Sequence, residues 1–358
     1  MKNERGNSDL LLRQAATMTI VMLGWLATAR VAAAPVQVMS GPGAADVDVF
    51  EGPKLVGGPF PAYPASQKAE GKEGWVELGM MIDPKGKPYQ VTVIDSSGNA
   101  ALEQAAVKGA DKFSFRPARH GSTPVDSSYE VKLTFYEYAR AEGATKPYAA
   151  AYNALTQAVD ANQQSKAGDA LAKLDPQNLY EDAFFGFGKY LYDRKWGTQQ
   201  EQLADLRRAV AHEGTARYLP FRAFRTALTA QLALYMDLED YARALDVWKT
   251  LRPIAEKSAR TQWQPKIDKI KALQSSDEVV HTSAWIGRGT SWHGRLFKNR
   301  FGVLVLGGAI SEIKLYCNQR YLFFKYEPGT QYTVTSTAGE CQIEVVGSPG
   351  TAFELDQS

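Results

Sequence analysis

Hydrophobic residues in this chain recur at a period of two, then at helical spacing, then at a period of two again, and a sequence that switches twice does not build one uniform layer. The first alternating stretch lies within residues 51–142, the helical one within 145–275 and the second alternating one within 277–358. A length of 358 residues also suggests two or three folded units. The expected class is α+β and multidomain: a strand–strand–helix–strand unit, an α-helical block and a small antiparallel β domain.

Residues 1–33 read as an export segment. Lys2, Arg5 and Arg13 make a charged start, Gln14 to Ala29 is uncharged, and Val31-Ala32-Ala33-Ala34 supplies small residues after Arg30. The 16 residues between Arg13 and Arg30 include Thr17, Thr19 and Thr28 and fall short of the ~20 apolar residues that span a bilayer. The expectation is a signal peptide cleaved after Ala33, with a short retained membrane anchor as the other reading. Residues 34–50 are then a flexible linker, because six prolines fall between Pro35 and Pro64 and little there can be buried. The segment 1–33 holds four of the 41 basic residues and two of the 39 acidic ones, so the remainder balances at 37 of each. A nucleic-acid binder would carry a basic excess or stripe, and neither is visible.

In the first unit Val76, Leu78, Met80 and Ile82 alternate up to the turn Asp83-Pro84-Lys85-Gly86, and Tyr89, Val91 and Val93 alternate after it, which predicts a hairpin. Asn99 is placed to cap a helix carrying Leu102, Ala105, Ala106, Gly109 and Phe113. A third strand sends Tyr129, Val131, Leu133 and Phe135 inward and Glu130, Lys132, Thr134 and Tyr136 outward. The second unit is rich in Ala, Leu, Gln and aromatic residues. Its clearest part, Leu232 to Trp248, is similar to one tetratricopeptide repeat, and Lys166–Leu174 with Leu179–Lys195 reads as a more degenerate helix pair. In the third unit Ile313, Leu315 and Cys317 alternate, as do Tyr321, Phe323 and Lys325, then Tyr332 and Val334, then Ile343 and Val345, predicting a small sandwich or an open barrel. Cys317 and Cys341 sit 24 residues apart in this one small domain. In an exported chain such a pair reads as a disulfide, and two buried free thiols are the competing reading.

The first unit resembles the C-terminal domain of the TonB energy transducers. The resemblance rests on Tyr63-Pro64, Glu73-Gly74-Trp75-Val76-Glu77-Leu78, Asp83-Pro84-Lys85-Gly86, Val91-Thr92-Val93 and Asp95-Ser96-Ser97-Gly98. It continues through Leu102, Ala105-Ala106, Phe113-Ser114-Phe115-Arg116-Pro117-Ala118 and Tyr129-Glu130-Val131-Lys132-Leu133-Thr134-Phe135. It implies a ββαβ fold whose sheet accepts a segment of an outer-membrane transporter as an added strand, using inner-membrane proton-motive force. On this chain the implied partner-binding residues are Tyr63, Pro64, Ser128, Glu130, Lys132, Thr134 and Tyr136. The implied partners are envelope proteins, among them TonB-dependent outer-membrane transporters, and an inner-membrane proton-driven motor only if the N-terminal segment is retained. The implied location is the periplasm of a Gram-negative bacterium, or the inner membrane facing it.

The chain departs from a transducer in its short linker, its short and removable N-terminal segment and the two units that follow. A non-energised periplasmic adaptor that binds partners through the helical block is therefore a second reading. Catalysis, metal and cofactor find little support. His120, His212, His281 and His293 fall in different elements, and Trp285-Ile286-Gly287-Arg288-Gly289-Thr290-Ser291-Trp292-His293 has neither phosphate-loop nor metal spacing. Trp285 and Trp292 read as core or hairpin anchors, and Arg116 and Arg119 as surface ion-pairing residues.

Overall fold

In the computed structural model, which describes residues 50–136, 143–211, 218–287 and 289–358, the first alternation yields a hairpin of strands Gly74–Ile82 and Pro88–Ser96. The expected export segment, all of the expected linker except Phe50, and His212 and Arg288 lie outside the described residues. Asp83 closes the hairpin: Oδ1 accepts from Lys85 N and Lys87 N at 2.9 and 2.8 Å, and its carbonyl accepts from Gly86 N at 2.9 Å. Gly86 has φ +80°, and a Cβ there would lie 2.0 Å from Phe115 O, so both the turn and the strand docked on it require glycine. Asn99 caps helix Ala100–Ala110 by accepting from Ala101 N and Leu102 N. That helix lays Leu102, Ala106 and Ala110 on Val76, Leu78, Met80 and Ile82, and Phe113, Phe115, Leu133 and Phe135 complete the core.

Strand Ser127–Phe135 pairs antiparallel with Gly74–Ile82 in unbroken register, from Gly74 opposite Phe135 to Ile82 opposite Ser127. Gly74–Ile82 is thus the central strand of three, with Pro88–Ser96 and Ser127–Phe135 on either side. Short strands surround this sheet. Lys54–Gly57 pairs with Ser114–Arg116, Phe50–Glu51 with Ala118–His120, and the last also with Thr123–Val125. Segments this short carry too few alternations to register as strands in the pattern.

The helical block consists of consecutive antiparallel pairs: Lys146–Asp160 with Gln164–Leu171, Leu179–Trp196 with Gln199–Val210, and Phe221–Asp237 with Tyr241–Leu251, closed by Lys257–Leu273. The pairing of Lys166–Leu174 with Leu179–Lys195 is not the principal one. Each of those helices packs chiefly on its other sequence neighbour, because three- and two-residue linkers turn the chain back sooner. Leu232 to Trp248 does form a hairpin, turned at Glu239 (φ +54°) and capped by Asp240, whose Oδ1 accepts from Arg243 N at 3.2 Å.

The third unit is a sandwich of two four-stranded antiparallel sheets. One has the order Ser291–Arg295, Cys341–Gly347, Ile310–Cys317, Tyr321–Lys325; the other Gln331–Thr333, Arg300–Gly307, Ala352–Gln357, Val280–Trp285. Phe301, Val303, Phe353 and Leu355 from one sheet meet Ile313, Leu315, Ile343 and Val345 from the other. In the edge strand Leu322 and Phe324 pack against this core, so Tyr321 and Phe323 take the opposite face. Cys317 and Cys341 are bonded, directly opposite each other on neighbouring strands.

Candidate functional site

The strand Ser127–Phe135 has one partner strand among the described residues, and the direction of its other backbone groups follows from its neighbour. Trp75 N donates to Ser97 Oγ at 3.2 Å and Trp75 O accepts from Ser97 N at 3.0 Å, so both groups of Trp75 point toward the hairpin. Its opposite residue, Thr134, therefore turns its own N–H and C=O to the free side of the sheet. The period of two carries this to Lys132, Glu130 and Ser128, since the pairing has no bulge. Tyr63 sits at the Phe135 end of the strand, its ring edge-on at 5.6 Å, and its Oη donates to Lys72 O at 2.7 Å. Pro64 follows at the start of helix Ala65–Glu70, and Phe60, also edge-on to Phe135 at 5.5 Å, is 56% exposed. Tyr136, just past the strand, is exposed.

The outward side chains of the strand do not simply meet water, as alternation predicts. Ser128 Oγ lies 3.4 Å from Asn318 Oδ1, Glu130 pairs with Arg295 at 3.3 Å, and Lys132 Nζ donates to Ala211 O at 2.8 Å, 5.1 Å above the Trp75 ring. Thr134 is half-buried. The reason is that the central strand is covered on both faces. Trp75 and Met81, on the face away from helix Ala100–Ala110, are 1% and 0% exposed, and Trp75 packs with Leu179, Ala211 and Tyr218. Trp75 Nε1 donates to Asp182 Oδ2, and Asp182 Oδ1 receives Arg208. Arg207 pairs with Asp95 at 2.8 Å, and Arg295 pairs with Asp246 of helix Tyr241–Leu251 at 3.3 Å as well as with Glu130. Arg295 therefore touches all three units. The omitted signal was in the sequence: Gly74-Trp75-Val76-Glu77-Leu78-Gly79-Met80-Met81-Ile82 reads as a nearly continuous apolar run, which suits a strand buried on both sides.

Burial of this junction governs its electrostatics. Desolvation raises the Glu130 carboxyl above its ordinary value, and the nearby Arg295 offsets only part of the rise. A cavity of about 190 Å³ at the junction is lined by Glu77, Glu130, Arg207, Arg243, His293 and Arg295 among others, so both charge signs face it. His293 is pushed down to about 4, chiefly by burial. Its carbonyl accepts from Arg243, whose guanidinium also lies 5.5 Å from the Trp292 ring, so this tryptophan is a packing anchor. His281 is on the other sheet and His120 on a short strand of the first unit, so the described histidines do not converge. Arg119 donates to Ser122 O at 2.7 Å, a local turn contact, and Arg116 is exposed. The chemistry on offer at the edge is a row of backbone donors and acceptors.

A three-stranded sheet with one helix behind it, and with no strand beside Ser127–Phe135 on its outer side among the described residues, defines a small α+β module suited to association. Residues 59–136 match the family of the Gram-negative bacterial TonB protein C-terminal. Protein tonB2 of Pseudomonas aeruginosa is 40% identical over 77 residues, which is 22% of this chain and 28% of that protein. TonB of Haemophilus ducreyi is 46% identical over 63 residues, 18% of this chain and 23% of its own. The chain thus spans about a quarter of the length of these relatives. The solution NMR structure of the P. aeruginosa TonB C-terminal domain aligns with 27% of this chain and 94% of its own, at 23% identity and a TM-score of 0.23.

Proposed function

We propose that this chain is an envelope component of a Gram-negative bacterium that takes up an extended partner segment as a fourth strand beside Ser127–Phe135, in energy-coupled transport across the outer membrane. The observation that carries the reading is the row of backbone groups at Ser128, Glu130, Lys132 and Thr134 turned to a side with no strand among the described residues, within a segment that matches the TonB C-terminal family. A partner strand satisfies such groups in register, while alternate side chains supply selectivity. Tyr63, Pro64 and Tyr136 border the Phe135 end of this row. TonB-dependent outer-membrane transporters are the partners of this reading. A proton-driven inner-membrane motor belongs to it only if residues 1–33 are kept as an anchor, and no helix among the described residues is long and apolar enough to cross a membrane. Strand uptake makes and breaks no covalent bond, so the role is not enzymatic.

A photo-crosslinking amino acid at Thr134 in cells should capture an outer-membrane protein, whereas one at Lys108, on the helix behind the sheet, should not. Equal capture from both positions would sink the reading.

A second reading, a periplasmic adaptor, draws on the helical block, whose three consecutive pairs meet the minimum for a tetratricopeptide-like stack. The groove between its first two helices is lined by Ala150, Ala151, Ala154 and Ala170, with Lys166 and Lys173 at its rim. The N-terminus of the protein in a membrane fraction separates the two: intact Met1 favours the motor-coupled form, and a start near Ala34 favours the adaptor.

A further inference from the structure

On the solvent face of the sandwich, away from the strand edge, three metal-ligating side chains converge. His281 and Asp356 stand directly opposite each other on strands Val280–Trp285 and Ala352–Gln357, and Glu354 lies two residues from Asp356 on the same face. His281 Nδ1 is 2.8 Å from Asp356 Oδ1 and 3.7 Å from Glu354 Oε1, and one donor atom from each of the three fits within 4.8 Å of the others. We propose that His281, Glu354 and Asp356 bind a divalent transition-metal ion of the zinc type, with water completing its shell.

Zinc bonds of ~2.0–2.2 Å put neighbouring ligands of a tetrahedral site ~3.4 Å apart, a value that the 2.8 and 3.7 Å separations bracket. The third separation, between the Glu354 and Asp356 oxygens, is within 4.8 Å. One nitrogen and two carboxylate oxygens form a mixed set that suits zinc better than a hard cation such as calcium. Charge points the same way. Among the described residues the ion-pair partner of Glu354 and Asp356 is His281 alone, and a third carboxylate, Glu239, accepts from His281 N at 3.2 Å. A protonated imidazole offsets one of the two facing charges, whereas a dication offsets both. Across from Asp356 and Glu354 the next strand presents Gly302 and the exposed Leu304, with Arg300 on the same face diagonal to Asp356.

The ligands also stand on rigid elements. The His281 strand is the edge strand of its sheet and is pinned to the turn of the last helix hairpin, with Thr282 Oγ1 donating to Glu239 O at 3.0 Å and Ser283 N to Leu238 O at 3.2 Å. Asp356 and Glu354 belong to a strand paired on both sides.

The test is equilibrium dialysis of the whole chain against zinc chloride, with metal counted per chain, for wild type, His281→Ala, Glu354→Gln, Asp356→Asn, the triple variant and His120→Ala. The expected result is one zinc per chain at micromolar free metal, affinity lowered at least about tenfold by each single change at the triad, loss in the triple variant and no change in His120→Ala. The triad is solvent-facing, so circular dichroism of each variant should match wild type. Failure of wild type to retain zinc at micromolar concentration, or retention by the folded triple variant at wild-type affinity, overturns the assignment.

Discussion

Trp75 Nε1 donates to Asp182 Oδ2 at 2.9 Å, joining residues 107 positions apart in sequence. The bond fastens the rear face of the TonB-like sheet to helix Leu179–Trp196, and Asp182 is itself held by Arg208. Asp182→Ala leaves an indole N–H and a largely covered guanidinium without their acceptor. We expect a loss of roughly 2–4 kcal/mol by urea denaturation, toward the lower part of the range for a broken buried pair because Arg208 keeps some contact with water. A change below a few tenths of a kcal/mol would mean that the rear face is not docked in solution.

A second expectation concerns pH. Asp205 is buried between helices Leu179–Trp196 and Gln199–Val210; its Oδ1 takes Lys189 Nζ at 3.0 Å while Oδ2 has no partner among the described residues. Burial first, and the neighbouring Asp193, push its carboxyl up to about 8. A carboxyl whose folded value is raised above its unfolded value adds stability that is complete below pH ~4 and is lost as pH rises toward about 8. Asp205→Asn should flatten the fall in urea midpoint between pH 5 and 8. An unchanged slope in the variant would place its source elsewhere.

The cystine offers a third. In the chain-entropy relation, closing a loop of the 24-residue Cys317–Cys341 separation contributes roughly 3.5 kcal/mol. Thiol labelling of denatured, unreduced protein should find no free sulfur, and Cys317→Ser with Cys341→Ser should lower the unfolding midpoint. Two labelled thiols in untreated protein would refute the bond.

The strand edge gives the fourth. Thr134→Pro removes a donor from the free side and leaves the ladder to Gly74–Ile82 intact, so the protein should stay folded and bind a transporter-derived extended peptide much more weakly. Leu133→Ala is the contrasting change, costing roughly 2–5 kcal/mol of stability through lost core packing. Peptide binding that survives Thr134→Pro in folded protein would rule out strand uptake here.

Much of the first unit was legible because its physics is local. Asp83 and Gly86 announce the hairpin turn, Asn99 the helix cap, and Val76, Leu78, Met80 and Ile82 a buried face. The residues Ser128, Glu130, Lys132 and Thr134 were legible as a set because one period fixes both their side-chain face and their backbone direction. The contacts of that set were not. Arg295, Asn318, Ala211 and Asp246 reach it from other units, and alternation within a strand carries no information about what packs over it. Without the helical block, Trp75 would lose its cover of Leu179, Ala211 and Tyr218, and a fragment of residues 50–136 is expected to self-associate in sedimentation, unlike the whole chain. Tyr89 is a smaller instance: it meets Tyr321 of the sandwich at 6.2 Å in place of the core shared by Val91 and Val93.

The unbroken register between Ser127–Phe135 and Gly74–Ile82 has a mechanical consequence. Its hydrogen bonds lie across the strand axis, so a pull along that axis loads them in shear and they must yield together. A pull at right angles would open the same bonds one after another, like a zipper. An extended segment lying beside Ser127–Phe135 and drawn along its own length would load the sheet in its stronger direction. The central strand that shares this tension is gripped from behind at Trp75, so force entering at the outer strand spreads into the helices before the sheet can part.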